Sequence, residues 1–402
     1  MIPLFKEPFS QKVNSLKQLY RLIFKHGPIT KGSLIELTGM KQSTCTRLIE
    51  ELLQENVILE SGLAESSGGR KPLMYQINPK LYYLIGIDIS RIHSKILLMD
   101  LQLTILAEVK MTMRQDSTPE LTIQWIRNQI NHLLQQHEIS TNSVLGIGIG
   151  AVGPLNREDG IIMNPLNFPS VGWKDVPICK ILHEHFNLPV LLDNGANTAV
   201  LGEYINGFWR DSDSMVYNLT GVGIRCGILT HGQVNRGPVD MEGAYGHTTV
   251  DLHGRQCSCG KYGCLNAYAT ILAIQEEVIR GIKRGRPSLL KERGLDMEQI
   301  EFSDICWAVK EGDPLCRDVV RDAAYYYGIG LANLMFMLHP DIVLLGGPLV
   351  TELDYFYQVS TEIALEKMQL YPDYPVRFSR GKLGENAVAV GAGSMVFESF
   401  LR

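Results

Sequence analysis

The chain has 402 residues, of which 45% are hydrophobic and 20% charged, and this predicts a folded protein of two or three domains rather than a disordered one. No apolar run reaches the ~20 residues of a membrane-spanning helix, and the first residues lack the basic start and apolar stretch of a signal peptide, so we expect a cytoplasmic protein without a membrane partner. Residues 1–80 carry a net charge of +4 and the rest −9, which favours a basic head that contacts phosphate, although +4 is also within ordinary surface variation.

The N-terminal segment predicts a helix-turn-helix. Residues 13–25 place apolar side chains on one helical stripe, which a Gly-Pro pair then ends. Thr30 is suited to cap a short helix that runs to Leu37, and Gly39 follows it in a tight turn. A further helix is predicted from about Lys41 to Glu55. Two helices joined by a short glycine-containing turn are typical of this motif.

The residues after the second helix predict a wing. Apolar runs at 57–59 and 73–77 flank a polar, basic stretch at 65–72, a pattern that indicates a β-hairpin, with a domain boundary near residue 80. Glutamine and arginine suit base edges in the major groove, and an arginine at the tip suits a narrow minor groove. The candidate DNA-contacting residues are Lys41, Gln42, Ser43, Thr44, Arg47, Arg70 and Lys71. The alternative is a helical-hairpin module that binds protein.

From residue 81 onward, apolar strands alternate with amphipathic helices, which predicts an α/β domain. We expect two lobes, residues 81–195 plus 385–402 and residues 196–384. The predicted strands are 84–90, 94–101, 103–113, 144–150, 189–193, 214–219, 224–229 and 341–345. The predicted helices are 119–137, 176–186, 196–206, 314–338, 351–368 and 386–400.

One imidazole and three thiols are spaced as a metal-ligand set. The candidate ligands are His247, Cys257, Cys259 and Cys264. Such a set closes a tetrahedron around Zn²⁺ and leaves no open position, so we expect one structural zinc ion per chain. Gly260 and Gly263 allow the backbone to fold tightly around it. The alternatives are three reduced structural cysteines beside an unrelated histidine, and His253 as the fourth ligand.

Three segments together resemble the ROK family of repressors and sugar kinases: Gly150–Pro154, Leu192–Asn197, and His247 with the cysteine segment 257–264. The head, with its Ser-Gly-Gly-Arg-Lys-Pro stretch, resembles that of the xylose-repressor branch. The resemblance implies an actin/hexokinase-like fold, in which a ligand cleft separates two lobes. It also favours His247 over His253 as the metal ligand.

The resemblance further implies that phosphoryl transfer is absent. Family kinases have an aspartate base within Asn-Asp-Ala-Asn, where this chain has Gly195, and a base is needed to accept the hydroxyl proton. They also have a Gly-Gly pair in the first phosphate loop, where this chain reads Ser90-Arg91. Asp193 is not expected to replace the base, because a two-residue step along a strand displaces it by about 6–7 Å.

The sugar side of the expected cleft is also altered. Two glutamates of sugar-binding relatives correspond to Ala244 and Asn266, which removes strong acceptors for sugar hydroxyls. The candidate effector-binding residues are Asn167, Asn194, Gly195, His247 and Asn266. The ligand is expected to be an unusual polyol or a phosphorylated or N-substituted sugar; the alternative is a cleft that binds nothing.

Together these patterns predict a homodimeric or higher-order DNA-binding repressor of carbohydrate genes that a sugar-like effector releases from a roughly palindromic operator. The prediction is that it is not an enzyme. Two alternatives are a sugar kinase with an appended DNA-binding domain and a regulator controlled by a protein partner.

Overall fold

A computed structural model describes residues 5, 10–63, 71–210, 212–241, 243–294 and 296–401. Among these residues, no helix is both long enough and apolar enough to cross a bilayer. Arg70, one of the predicted DNA contacts, lies outside the described residues.

The head is a winged helix-turn-helix. Its elements are α1 (Gln11–His26), β1 (Ile29–Thr30), α2 (Lys31–Thr38), α3 (Gln42–Gln54), β2 (Ile58–Leu63) and β3 (Leu73–Ile77). The Thr30 hydroxyl accepts a hydrogen bond from the Ser33 amide at 3.2 Å and so caps α2. Gly39 ends α2 in the left-handed conformation, with φ of 65°. The three strands pair in the order β1-β3-β2.

The first half of the body is built on a mixed five-stranded sheet in the order β10-β7-β4-β5-β6. Its elements within the described residues are β4 (Tyr83–Ile89), β5 (His93–Asp100), β6 (Ile105–Thr112), α4 (Pro119–Gln136), β7 (Val144–Ala151), the short strands β8 (Leu155–Asn156) and β9 (Ile161–Ile162), α5 (Ile178–Phe186) and β10 (Val190–Asn194). The strands β4, β7 and β10 run parallel, whereas β5 and β6 are antiparallel additions. All eight residues of β7 are buried, as expected for a strand covered on both faces.

The second half repeats this pattern in the order β13-β12-β11-β14-β15. Its described elements are α6 (Gly195–Ile205), β11 (Met215–Thr220), β12 (Ile224–Thr230), β13 (Gln233–Val234), α7 (Ile271–Lys283), α8 (Leu289–Glu292), α9 (Phe302–Lys310), α10 (Pro314–Leu338), β14 (Ile342–Gly346), α11 (Pro348–Glu352), α12 (Asp354–Lys367) and β15 (Arg377–Ser379). A final helix, α13 (Ala387–Leu401), returns to the first sheet and packs on β4, β7 and α6.

The close packing of α13 depends on glycines in the sheet. A Cβ on Gly86 would overlap with the carbonyl oxygen of Ala389, and one on Gly148 with that of Ala392. The backbone of α13 therefore lies almost directly on β4 and β7, which only glycine permits. This places α13 at the centre of the molecule, with α6 beside it.

The head packs on the same two helices. Phe24 and Phe397 have ring centroids 4.6 Å apart, and Arg21 donates to the carbonyl oxygen of Leu401 at 2.6 Å. The Lys25 ammonium lies 5.4 Å from the centroid of the Tyr204 ring, at the end of α6. Consequently, one apolar core continues from the head into the body.

The predicted elements are found with shifts of one or two residues at most ends. The helix predicted at 351–368 covers α12 and only the end of α11, because Leu353 leaves the helical conformation with φ of −124° and ψ of 90°. The helices α7, α8 and α9 and the short strands β1, β8, β9, β13 and β15 were not predicted.

Candidate ligand cleft and metal centre

A cleft of about 630 Å³ lies between the two sheets, a volume suited to a small ligand. It is lined by the ends of β4, β7 and β10 from the first half, and by the β11–β12 turn and the cysteine-rich loop from the second. All five predicted effector-binding residues line this one cleft: Asn167, Asn194, Gly195, His247 and Asn266.

The start of α6 forms one wall of the cleft. The side chain of Asn194 caps the helix by accepting from the Ala196 amide at 3.1 Å, and its amide nitrogen lies 3.3 Å from Asp240. Gly195 is the first residue of α6, and a Cβ placed there would have its nearest neighbour, in Val388, at 3.6 Å. The fold therefore leaves room for a side chain at the position where family kinases have their base.

The carboxylate nearest to that position is fully engaged. Asp193 is 1% exposed. It accepts from the Asn194 amide at 2.7 Å and from Asn197 at 3.0 Å, and its other oxygen lies 2.6 Å from Nε of Arg236. These bonds hold Asp193 within the protein and oppose its use as a general base.

Asp240 is a buried carboxylate that lines the cleft, and it was not predicted from the sequence. Its Oδ1 lies 2.6 Å from Arg225, and its Oδ2 accepts from the Leu155 amide at 3.2 Å. The aspartate thus ties the β12 strand to the loop that follows β7. No motif marks Asp240 in the sequence, whereas Arg225 was visible beside the glycine turn at 221–223.

The loop after β4 is ordered by its own side chains. The Ser90 hydroxyl accepts from the His93 amide at 3.0 Å and donates to the His93 carbonyl at 2.8 Å. The His93 imidazole lies 3.0 Å from Asp88. Arg91 extends from this loop into the cleft, where its Nε donates to the carbonyl oxygen of Leu166 at 2.8 Å. In the sequence, Arg91 is visible only as the replacement of a glycine, and its position in the cleft was not predicted.

The predicted metal ligands converge. The donor atoms of His247, Cys257, Cys259 and Cys264 all lie within 4.8 Å of one another. The His247 Nδ1 is 3.7 Å from Cys257 Sγ, and the sulfurs of Cys259 and Cys264 are 3.8 Å apart. Zn–S bonds of about 2.3 Å at tetrahedral angles place two sulfurs about 3.8 Å apart, so the four residues fit Zn²⁺. His253 is exposed and lies outside the cluster.

Local backbone geometry forms this cluster. Gly260 and Gly263 have φ of 85° and 72°, conformations that favour glycine. Amide hydrogen bonds from Cys257 to the Lys261 carbonyl and from Gly260 to the Cys257 carbonyl, both 2.8 Å, close the turn. Burial raises the pKa of the Cys264 thiol to about 12, and a bound cation would oppose this shift by stabilising the thiolate.

His247 connects the metal centre to the cleft. Burial, together with the positive charges of Arg225, Lys261 and Arg91, lowers the pKa of His247, which favours the neutral imidazole that binds a metal. Its Nε2 faces the cleft, 3.5 Å from the Asn266 amide nitrogen. Asn266 is itself fixed, because its Oδ1 accepts from the Ile224 amide at 2.9 Å.

The predicted DNA-contacting residues in the described part of the head lie at one end of α3 and at the base of the wing. Lys41, Gln42, Ser43, Arg47 and Lys71 are exposed, and Thr44 is half-buried. The opposite face of α3 is buried in the head through Cys45, Leu48, Ile49 and Leu52. The polar end of the helix is therefore free to contact another molecule.

A family profile, a relative and two solved structures that match this chain all belong to, or are named for, the ROK family or its repressors. A profile of the ROK family matches residues 84–399. A xylose repressor of Caldicellulosiruptor bescii is 29% identical over 96% of this chain and 97% of its own length. The structure of a ROK family transcriptional regulator, a homologue of the E. coli Mlc protein, is 25% identical with a TM-score of 0.80, over 97% of this chain and 96% of that one. A ROK hexokinase of Thermus thermophilus has a TM-score of 0.64 and 26% identity, over 79% of this chain and 98% of its own.

Proposed function

The chain belongs to the ROK family, and from this premise we propose that it is a sugar-responsive, DNA-binding transcriptional repressor. The similarity to a xylose repressor and to a ROK transcriptional regulator extends over nearly the whole length of each protein, including the head. The hexokinase, by contrast, leaves about a fifth of this chain unmatched. In this proposal residues 1–80 bind the operator and residues 81–402 bind the effector.

The observation that carries the proposal is the position of α6 and α13 between the cleft and the head. The eleven residues of α6 are all buried; its first turn lines the cleft, and its last turn lies beside Lys25 of α1. A helix of this length spans about 16 Å. A ligand that shifts the two halves of the body relative to each other would thereby change the position of α1 and of α3, the helix proposed to contact DNA.

The cluster of His247 and the three cysteines is proposed to hold one structural Zn²⁺. When bound, the ion would supply a rigid cross-link between the 247 region and the cysteine-rich loop, not a reactive water, because four protein ligands complete its coordination. His247 would then present a fixed imidazole edge to the ligand. Asn266, held by the Ile224 amide, would complete that side of the cleft.

The same cleft is proposed to perform no phosphoryl transfer. Gly195 has no group to accept a proton, and Asp193 is bonded to Arg236. The Arg91 guanidinium packs against Gly223, in the turn that would otherwise approach a nucleotide phosphate. Binding needs neither a base nor ATP, so an effector role is compatible with these changes.

A homodimer is proposed because an operator with two half-sites, separated by whole helical turns of ~10 bp, matches a two-fold protein. Light scattering on the purified chain, alone and with operator DNA, tests this assembly. A monomer in both samples would contradict it.

Operator binding is tested by fluorescence anisotropy at fixed salt, with a duplex taken from upstream of the chain's own gene and a scrambled duplex as the reference. Gln42→Ala, at the exposed start of α3, should weaken binding by about 1–3 kcal/mol if it contacts a base. Gln54→Ala, at the other end of the same helix, is the matched control and should leave affinity unchanged. Equal affinity of the wild type for both duplexes would contradict the proposal.

A further inference from the structure

One half-buried cation of the cleft, Arg91, has no carboxylate neighbour within the described part of the chain. Within the described residues, no carboxylate lies within 4.0 Å of Arg91, whose hydrogen bond is the one from Nε to the carbonyl oxygen of Leu166. Burial and the nearby charge of Arg225 lower its pKa to about 10, so the guanidinium stays charged at neutral pH. A half-buried guanidinium with free N–H groups can bind an anionic ligand through charge-assisted hydrogen bonds.

The other cationic side chains of the cleft differ in this respect. Arg225 lies 2.6 Å from Asp240, and Arg255 and Arg280 lie 3.1 and 3.0 Å from Glu277. Each of these guanidiniums therefore has a carboxylate of the protein as its neighbour. Arg91 has no such neighbour among the described residues, and it lines the space in which a ligand would lie.

The surroundings of Arg91 suit a group with several oxygen atoms. The guanidinium lies beside Gly223, so closely that a Cβ there would be 3.2 Å from Nη1. The glycine turn at 221–223, which the Gly221 amide closes by donating to the Gly223 carbonyl oxygen at 3.1 Å, lies at the same place. Tight turns of this kind can bind anions through their remaining backbone amides. The Nε bond to Leu166 fixes the orientation of the planar fork, which matches phosphate or carboxylate through two parallel hydrogen bonds.

We propose that the effector is an anionic monosaccharide, whose phosphate or carboxylate group is bound by Arg91 beside the glycine turn while its hydroxyls face Asn194, His247 and Asn266. This inference rests on the proposed effector role of the cleft and specifies the class of ligand. It also accounts for the chain's having an arginine in the loop after β4. Arg91 is then the residue that discriminates charged from neutral sugars.

Calorimetric titration of the full-length protein with matched ligands tests this proposal. The probes are glucose, N-acetylglucosamine and ribose, each beside its terminal phosphate ester, together with glucuronate and gluconate. We expect at least one anionic probe to bind at least tenfold more tightly than its neutral parent, and its affinity to fall as salt is raised. Comparing the phosphate esters with glucuronate and gluconate shows whether the bound group is a phosphate or a carboxylate.

Arg91→Gln should weaken binding of that probe by about 10- to 100-fold and leave the neutral parent unchanged, whereas Arg91→Lys should give an intermediate loss. Arg280→Gln removes the same charge from the same cleft, at a guanidinium already paired with Glu277, and should have little effect. Melting curves show whether each variant is folded.

Neutral sugars that bind as tightly as their anionic partners, no binding of any anionic probe, or an equal effect of Arg91→Gln and Arg280→Gln would overturn the proposal. Operator binding measured on the same samples separates this failure from failure of the regulator function. A chain that binds its operator yet prefers neutral sugars remains a repressor with a different effector.

Discussion

The metal centre and the ligand cleft share His247 but are built in different ways. The four metal ligands fall between residues 247 and 264, and two glycines with positive φ bring them together. The cleft is lined by segments that are distant in the chain. Its buried Asp240 is bonded to Arg225, and Asp193, next to the lining residue Asn194, is bonded to Arg236. The candidate metal ligands are thus brought together by residues close in the chain. In the cleft, by contrast, ion pairs between distant residues determine which polar groups remain available to a ligand.

This difference predicts that the two regions respond differently to substitution. Removing one of the four candidate metal ligands opens the tetrahedral set, so the expected effect is loss of metal binding. Removing one member of the cleft network leaves its partner buried and affects stability first. The cleft positions without a partner or without a side chain, such as Gly195, should be the most tolerant.

The largest effect is expected from Cys259→Ser. The purified wild type should contain one zinc ion per chain by elemental analysis, and the variant should lose the metal and melt at a lower temperature, because binding of a structural metal contributes to folding free energy. Ser258→Ala, in the same loop but outside the cluster, should retain zinc. A metal-free wild type that melts like a zinc-loaded one would contradict the assignment.

A smaller effect, about 3–5 kcal/mol in the free energy of unfolding, is expected from Asp193→Asn, because it leaves Arg236 without its buried partner. Arg236→Gln and the double variant complete a cycle measured by denaturant unfolding. The two single losses should not add, since each removes the same interaction. Full additivity would show that Asp193 and Arg236 act independently.

The smallest effect is expected from Gly195→Ala. The nearest atom to the new Cβ would be at 3.6 Å, an ordinary contact, so stability should change by less than about 1 kcal/mol. Gly227→Ala is the matched control and should be clearly destabilising, because its Cβ would overlap with the carbonyl oxygen of Ala196. Equal stability of the two variants would argue against the close contact between β12 and α6.

Features set by local patterns were predictable. The caps and turns of the head, the alternation of the body and the clustering of one histidine with three cysteines follow from residues close together in the chain. Helix α7 was missed although Ile271, Ile274 and Val278 repeat at helical spacing, so its signal was present. The break at Leu353 was not predictable, because the residue is buried at the junction of two helices by tertiary packing.

Contacts between residues far apart in the chain could not be predicted from the sequence. Nothing in its local pattern indicates that Phe24 of the head meets Phe397 of the last helix, or that Asp240 pairs with Arg225. The same holds for Arg91. The sequence shows only a change in a loop, whereas the position of Arg91 in the cleft, without a carboxylate neighbour among the described residues, depends on segments that meet only in the folded protein.

The cleft is proposed to change operator binding by the head without catalysing a reaction. The most direct test is a titration of the full-length protein on its upstream duplex, in the presence of Mg-ATP, with the tightest-binding sugar, while anisotropy and ADP release are recorded together. The account predicts that the ligand lowers operator occupancy and that no ADP forms, in the wild type and in Gly195→Asp alike. Sugar-dependent ADP release near ~1–100 s⁻¹, with operator binding unchanged, would contradict it.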